Sequence, residues 1–149
     1  MHTLDITTIT IIGLMVGNEL TVSLFINPVM RQLDAATQAR ALSLFASLLG
    51  RVMPLWYALC LLLLIIETIA RRAMPAFAWL LSATILWAAT IIYTVFFLVP
   101  INNRIAALRE SSPLADWLAQ HERWNRLHIL RIAAILLAFI LSIHALLPA

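Results

Sequence analysis

Polar residues interrupt this chain more than they compose it. Apolar residues dominate four runs, at about 6–30, 52–70, 75–99 and 125–147. Each is close to the ~20 residues a helix needs to cross a hydrocarbon core. The pattern predicts an all-α integral membrane protein, a four-helix bundle forming one domain over 1–149. Between the first two runs lies "RQLDAATQARALSLFASLLGR". There Leu42, Phe45 and Leu49 recur at helical spacing and Asp34 is placed as an N-cap, which predicts an amphipathic helix at the membrane surface. The connection "ARRAMPA" reads as a tight turn, with Pro75 in the first turn of the third span. Ser112 and Pro113 read as the N-cap and first residue of an extended fourth helix. From Pro113 to Leu147 that helix would run roughly 50 Å at 1.5 Å per residue, so its early turns must project beyond the bilayer or tilt. The first and third spans end in related stretches, "FINPVMRQL" and "FLVPINNRIAAL", an echo too short to establish a repeat.

Composition supports the membrane reading. Hydrophobic residues make up 63% of the chain and charged residues 11%, against about a quarter charged in an average soluble domain. All the basic residues are arginines, and they flank the apolar runs instead of forming a patch interleaved with aromatics. That favours the lipid bilayer as partner and argues against nucleic acid. Cys60 is the sole cysteine, which excludes an intramolecular disulfide and a thiolate metal cluster. The opening "MHTLDITTITIIG" has no basic n-region and no small-residue cleavage site, so the first apolar segment is expected to be retained. Arg31, Arg40, Arg51, Arg104, Arg109, Arg123, Arg126 and Arg131 fall on the side of the first and third connections, with only Arg71 and Arg72 opposite. By the positive-inside rule, both termini should face away from the cytoplasm.

The polar residues inside the apolar runs are the candidates for chemistry. Asn18 and Glu19 sit near the middle of the first span, where an acid costs a few kcal/mol or more unless paired, solvated or protonated. Two readings stand: Glu19 lies near an interface or makes a structural hydrogen bond, or it is a buried acid facing a cavity, as a general base or a partner for a cation. Gly13 and Gly17, four apart, would admit a close helix neighbour. Glu67 has Arg71 four residues on and reads as a structural ion pair. His144 belongs to the outer interface.

The densest polar stretch is "WLAQHERWNRLHILR", residues 117–131. Trp117, His121, Trp124, His128 and Arg131 share one face at spacings of four, three, four and three. Membrane-interface anchoring accounts for Trp117, Arg123 and Arg126, because tryptophan forms the aromatic belt and arginine snorkels. It accounts poorly for His128 and Arg131, which continue along the stripe toward Ile135, Ala138 and Ser142. An inward arginine needs an acid, and Glu19 is the candidate, directly or through His128. His121 and Trp124 would line the mouth of such a site.

His121 and His128 are two turns apart, roughly 10 Å along the axis, too far for one metal. If a metal is held, Glu19 and His128 are the ligands offered, with a third unassigned; haem through His128 is the other cofactor option. Asn102 and Asn103 after Pro100, and Asn27 before Pro28, fit helix termination. The adjacent pair also suits a polar ligand group.

Taken together, "GNELTVSLFINPVM", "RVMPLWY", "VPINNRIAAL" and "DWLAQHERWNRLHILR" resemble the small four-helix membrane proteins of the anthrone oxygenase (DUF1772) family, in the same order along nearly the whole chain. The most specific part is the asparagine pair after a proline followed by Trp, three residues, His, two residues, Arg: here Asn102, Asn103, Trp124, His128 and Arg131. The resemblance implies oxygenation by O2 of a small lipophilic, anthrone-like aromatic compound, with no obligatory cofactor. "GNEL" is similar to a bacterial branch, which implies a bacterial inner membrane, and there the arginine distribution puts both termini in the periplasm. In that setting Glu19, His128 and Arg131 are the expected catalytic residues, and Asn18, Asn102, Asn103, His121 and Trp124 the expected substrate contacts. The rival expectation is a non-catalytic membrane protein that binds a lipophilic ligand, haem or metal, or serves as a partner subunit; a homo-oligomer is compatible with either.

Overall fold

The computed structural model describes residues 2–108 and 114–147. It contains helices α1 (His2–Thr21), α2 (Asn27–Met30), α3 (Ala35–Ala70), α4 (Phe77–Tyr93), α5 (Val99–Ala106) and α6 (Leu114–Leu146). No strand occurs among the described residues. The α1–α2 and α4–α5 pairs are each continuous through a π turn, so four rods result: Thr3–Met30, Ala35–Ala70, Phe77–Ala106 and Asp116–Leu146, each long and apolar enough to cross a membrane. Burial has the matching polarity. Leu55, Phe96 and Ile6 lie outside at 75%, 70% and 66% exposure, whereas Glu19, Glu67, Arg71, His128 and Arg131 are inside. Apolar side chains outward and ionisable ones inward suit lipid as the surrounding solvent.

Two π turns explain the echo between the first and third spans. Val22–Ile26 precedes Pro28 and Thr94–Leu98 precedes Pro100, with the Asn27 and Val99 amides donating to the carbonyls of Val22 and Thr94. Proline has no N–H and its ring crowds the carbonyl four residues back. Widening the preceding turn to i→i+5 bonding lets the helix continue through it.

Several expectations are corrected. The amphipathic segment and the second span are not separate: α3 runs unbroken through Pro54. Its first half buries Ala39, Leu42 and Ala46 against Met30, Ile101, Ile105 and Trp117. That packing accounts for the continuity, since the apolar face is covered chiefly by α5, while Phe45 is 36% exposed. Trp117 is thus buried at 3% and is no interfacial anchor; Arg123 and Arg126 are exposed. Pro75 lies in the turn before α4, which starts at Phe77. Gly13 does permit close approach, because a Cβ there would lie 3.1 Å from Phe139, but Gly17 faces no neighbour within 4 Å. Arg109, Ser112 and Pro113 lie outside the described residues.

Asp34 caps α3, accepting from the Thr37 amide at 3.1 Å, and the Thr37 hydroxyl and then this amide hold its carboxyl below the usual range. At the opposite end of the bundle Arg71 pairs with Glu67 and with Asp5, and Thr8 donates to Glu67 at 3.1 Å. The expected intrahelical pair is therefore part of a buried network that fastens α1 to α3.

Candidate functional site

The core stripes of three helices carry the site. On α1, Ile12, Met15 and Val16 are buried and Glu19 continues their face; on α3, Tyr57 precedes Cys60 and Leu64; on α6, His128 and Arg131 precede Ile135 and Ala138. Helical spacing of three and four turns all of them toward one axis. Glu19 is 2% exposed and His128 0%. The two meet through Glu19 Oε2 and His128 Nε2. Arg131 Nη2 donates to the same oxygen at 2.6 Å, and the Tyr57 hydroxyl donates to Oε1 at 3.1 Å.

These contacts divide the carboxylate into two halves. Oε2 is held by two nitrogen donors, while Oε1 meets only Tyr57 among the described residues. A carboxylate is acceptor-only, so partner chemistry assigns the Nε2–H tautomer to His128 and leaves its Nδ1 as an acceptor. Both His128 Nδ1 and Arg131 Nε are buried without a hydrogen-bond partner. Arg131 also lies over the Tyr57 ring, with Cζ 5.4 Å from its centroid. Trp87 also holds Tyr57: the rings are 5.6 Å apart, and the indole N–H donates to the Tyr57 carbonyl at 3.2 Å.

A cavity of about 250 Å³ adjoins this cluster, between the middle of α3, the α4–α5 rod and α6. Leu49, Met53, Ile91, Thr94 and Leu98 give it an apolar lining; Tyr57, Arg131, Trp124, Asn102 and Asn103 supply its polar groups. An engineered apolar cavity of about 150 Å³ accepts benzene, so this one has room for a larger planar molecule. Glu19 and His128 do not face each other across the cavity, as the sequence suggests, but touch directly behind it. Trp124 screens His128, its ring stacked on the imidazole at 4.4 Å. His121 stacks on the other side of Trp124 at 6.3 Å and lines a separate cavity of about 40 Å³ instead of the main one.

The remaining candidates are distributed unevenly. Asn103 is exposed and lines the main cavity. Asn102 lines it too, but its amide is committed to the Ala46 carbonyl at 3.0 Å. Asn18 is only half-buried, donates to Met53 Sδ at 3.6 Å and is absent from the cavity wall. Asn27 does more than end a helix, since it donates to Asn125 across the bundle at 2.6 Å. For a metal, Glu19 and His128 are adjacent, but no group of three His, Cys, Asp or Glu assembles among the described residues. His128 Nε2 meets Glu19, while its Nδ1 has no partner.

Tyr57 and Asn125 escaped the sequence reading. Tyr57 stands in "RVMPLWY", and its helix register with Cys60 and Leu64 is the signal that places a hydroxyl on a buried face, where it needs a partner. Asn125 belongs to the same register as His121 and His128.

No curated protein and no solved structure matches the chain. The family model described as anthrone oxygenase matches residues 43–141. That range holds Tyr57, the asparagine pair, Trp124, His128 and Arg131, while Glu19 comes from α1 outside it. With that match covering most of the chain and four membrane-capable rods around the buried cluster, the protein belongs to the anthrone oxygenase family.

Proposed function

We propose that the protein is a membrane-embedded oxygenase that converts a small, lipophilic, anthrone-type aromatic to the corresponding quinone with O2, and that it does so without a cofactor. Arg131 is the observation that carries this reading: it lines an apolar cavity, is anchored on Glu19 through Nη2, and keeps Nε without a partner. An anthrone has a methylene flanked by two aromatic rings and conjugated with a ketone. Removing one methylene proton gives an enolate whose oxygen suits a buried guanidinium donor, and stabilising such developing charge is a large catalytic term. The enolate passes an electron to O2, and the two radicals join to form a C–O bond. Loss of water from the resulting hydroperoxide, with the second methylene hydrogen leaving as a proton, yields the new carbonyl. One oxygen atom of O2 ends in the quinone and the other in water.

The Glu19–His128 pair is the proposed base, and Trp124 gives the cavity an aromatic wall against which the ring system packs. The apolar lining dissolves both substrate and O2. In this reading the chain sits in a bacterial inner membrane with periplasmic termini, which the arginine distribution supports.

The test is incubation of the purified protein with anthrone under 18O2. The expected result is anthraquinone carrying one labelled oxygen, formed with O2 uptake well above autoxidation in matched detergent. Anthrone binding without product above that background would instead favour a ligand-binding membrane protein.

A further inference from the structure

We propose that the Tyr57 hydroxyl is the group that takes the proton from the substrate and relays it to Glu19; this rests on the oxygenase reading above. The geometry singles it out. Glu19 Oε2 is occupied by His128 and Arg131, so the accessible basic oxygen is Oε1, and its partner is the Tyr57 hydroxyl. Glu19 does not line the cavity, whereas Tyr57 does. His128 is no shorter route, because Trp124 stacks over its ring. A proton leaving a molecule in the cavity therefore reaches the buried carboxylate through the phenol.

The relay balances. The substrate C–H bond breaks and its electron pair becomes the enolate. The proton bonds to the Tyr57 oxygen as the phenolic proton moves to Glu19 Oε1. Tyr57 ends as a neutral phenol and Glu19 as a carboxylic acid. The negative charge moves from Glu19 to the enolate, and both positions adjoin Arg131, so the guanidinium keeps an anionic partner throughout. Trp87 and Arg131 both pack on the Tyr57 ring, which fixes the hydroxyl that bonds Glu19 on a residue lining the cavity.

The experiment separates the proton step from oxygen chemistry. Anthrone is incubated anaerobically with the protein in deuterated buffer, and exchange of its methylene hydrogens is followed by mass spectrometry. Wild type is expected to exchange far faster than the detergent blank. The Tyr57→Phe variant, which keeps the ring that Arg131 and Trp87 contact, is expected to lose exchange and turnover by at least about a hundredfold, while anthrone still quenches its tryptophan fluorescence as in wild type. Exchange by Tyr57→Phe at the wild-type rate overturns the relay and leaves the oxygenase reading intact; wild type that neither exchanges nor oxidises anthrone overturns both. A second measurement does not depend on the variant folding. In the relay a carbon-bound proton and the solvent-exchangeable phenolic proton move together, so proton abstraction in a single wild-type turnover should slow both with methylene-deuterated anthrone and in heavy water. A substrate isotope effect with no solvent isotope effect contradicts the relay.

Discussion

Glu19 and His128 lie 109 positions apart in the sequence and share a hydrogen bond at the centre of the bundle. Arg131, one turn beyond His128 on α6, grips the same carboxylate oxygen. An acid alone in a membrane span is unfavourable, and here one turn of one helix neutralises and orients it. The pairing leaves Glu19 a second oxygen directed to Tyr57, which connects the charged cluster to the cavity. The same contacts that make the cluster tolerable in an apolar bundle thus give it polarity, with a fixed side and a side available for proton transfer.

Replacing Glu19 with Gln should abolish the proposed base while preserving size. Acid–base groups contribute typically about 10²–10⁴ in rate, so anthrone turnover is expected to fall by at least two orders of magnitude. Stability should also drop, because Arg131 would remain buried without its anion, and breaking a buried pair costs about 3–5 kcal/mol. Steady-state rates and thermal unfolding in the same detergent test both. Full turnover in a folded Glu19→Gln protein would remove Glu19 from the mechanism.

Arg131→Lys preserves charge but not the fork. An ammonium can reach Glu19 or the cavity, whereas the planar guanidinium grips Glu19 through Nη2 and still lines the cavity. Loss of a single oxyanion donor costs about 10²–10³ in kcat, and that is the expected fall here, with substrate affinity changing much less. A wild-type kcat would show that the guanidinium fork has no role in turnover.

The sequence made the cluster legible where a helical stripe ran into an apolar segment. His128 and Arg131 could not be explained as interfacial anchors, and Glu19 was the mid-span acid available to meet them. Trp117 misled because an aromatic near a span end looks the same whether it faces headgroups or a neighbouring helix. Here the first half of α3 folds over it. Tyr57 was hidden for a related reason: its register with Cys60 and Leu64 marks a buried face, but the acid its hydroxyl meets lies on another helix. The fused α3 runs through an exposed Pro54, which local propensity alone opposes.

Arg71→Met should separate stability from chemistry. Arg71 joins Asp5 and Glu67 at the end of the bundle away from the cavity, and removing it leaves Glu67 fully buried without its cation. The expected loss is about 3–5 kcal/mol, read as a lower melting temperature. Turnover per folded molecule should match wild type at temperatures where the variant is intact. A large fall in kcat without destabilisation would place Arg71 in the reaction.

The absorption spectrum and metal content of the purified protein address the proposed independence from cofactors. Glu19 and His128 are committed to each other, and the described residues supply no third acidic, histidine or cysteine ligand beside them. The expected spectrum contains aromatic absorption alone, with metal well below one equivalent and turnover unaffected by chelator. A Soret band, or stoichiometric metal whose removal stops turnover, would replace the cofactor-free mechanism.

Trp124→Ala should widen the substrate range at the expense of affinity. Trp124 walls both the main cavity and the smaller one beside His121, and its ring covers His128. Deleting the indole joins the two spaces and uncovers the imidazole, so substrates bulkier than anthrone should gain relative to anthrone itself. For anthrone the lost stacking partner, about 0.5–1.5 kcal/mol beyond area burial for an aromatic pair, should raise KM by roughly two- to tenfold or more. The Glu19–His128–Arg131 contacts do not pass through the indole, so kcat should fall less than KM rises. Parallel measurements on anthrone and on a ring-extended analogue distinguish this from global damage, which would lower both rates alike and leave the ratio of their kcat/KM values unchanged.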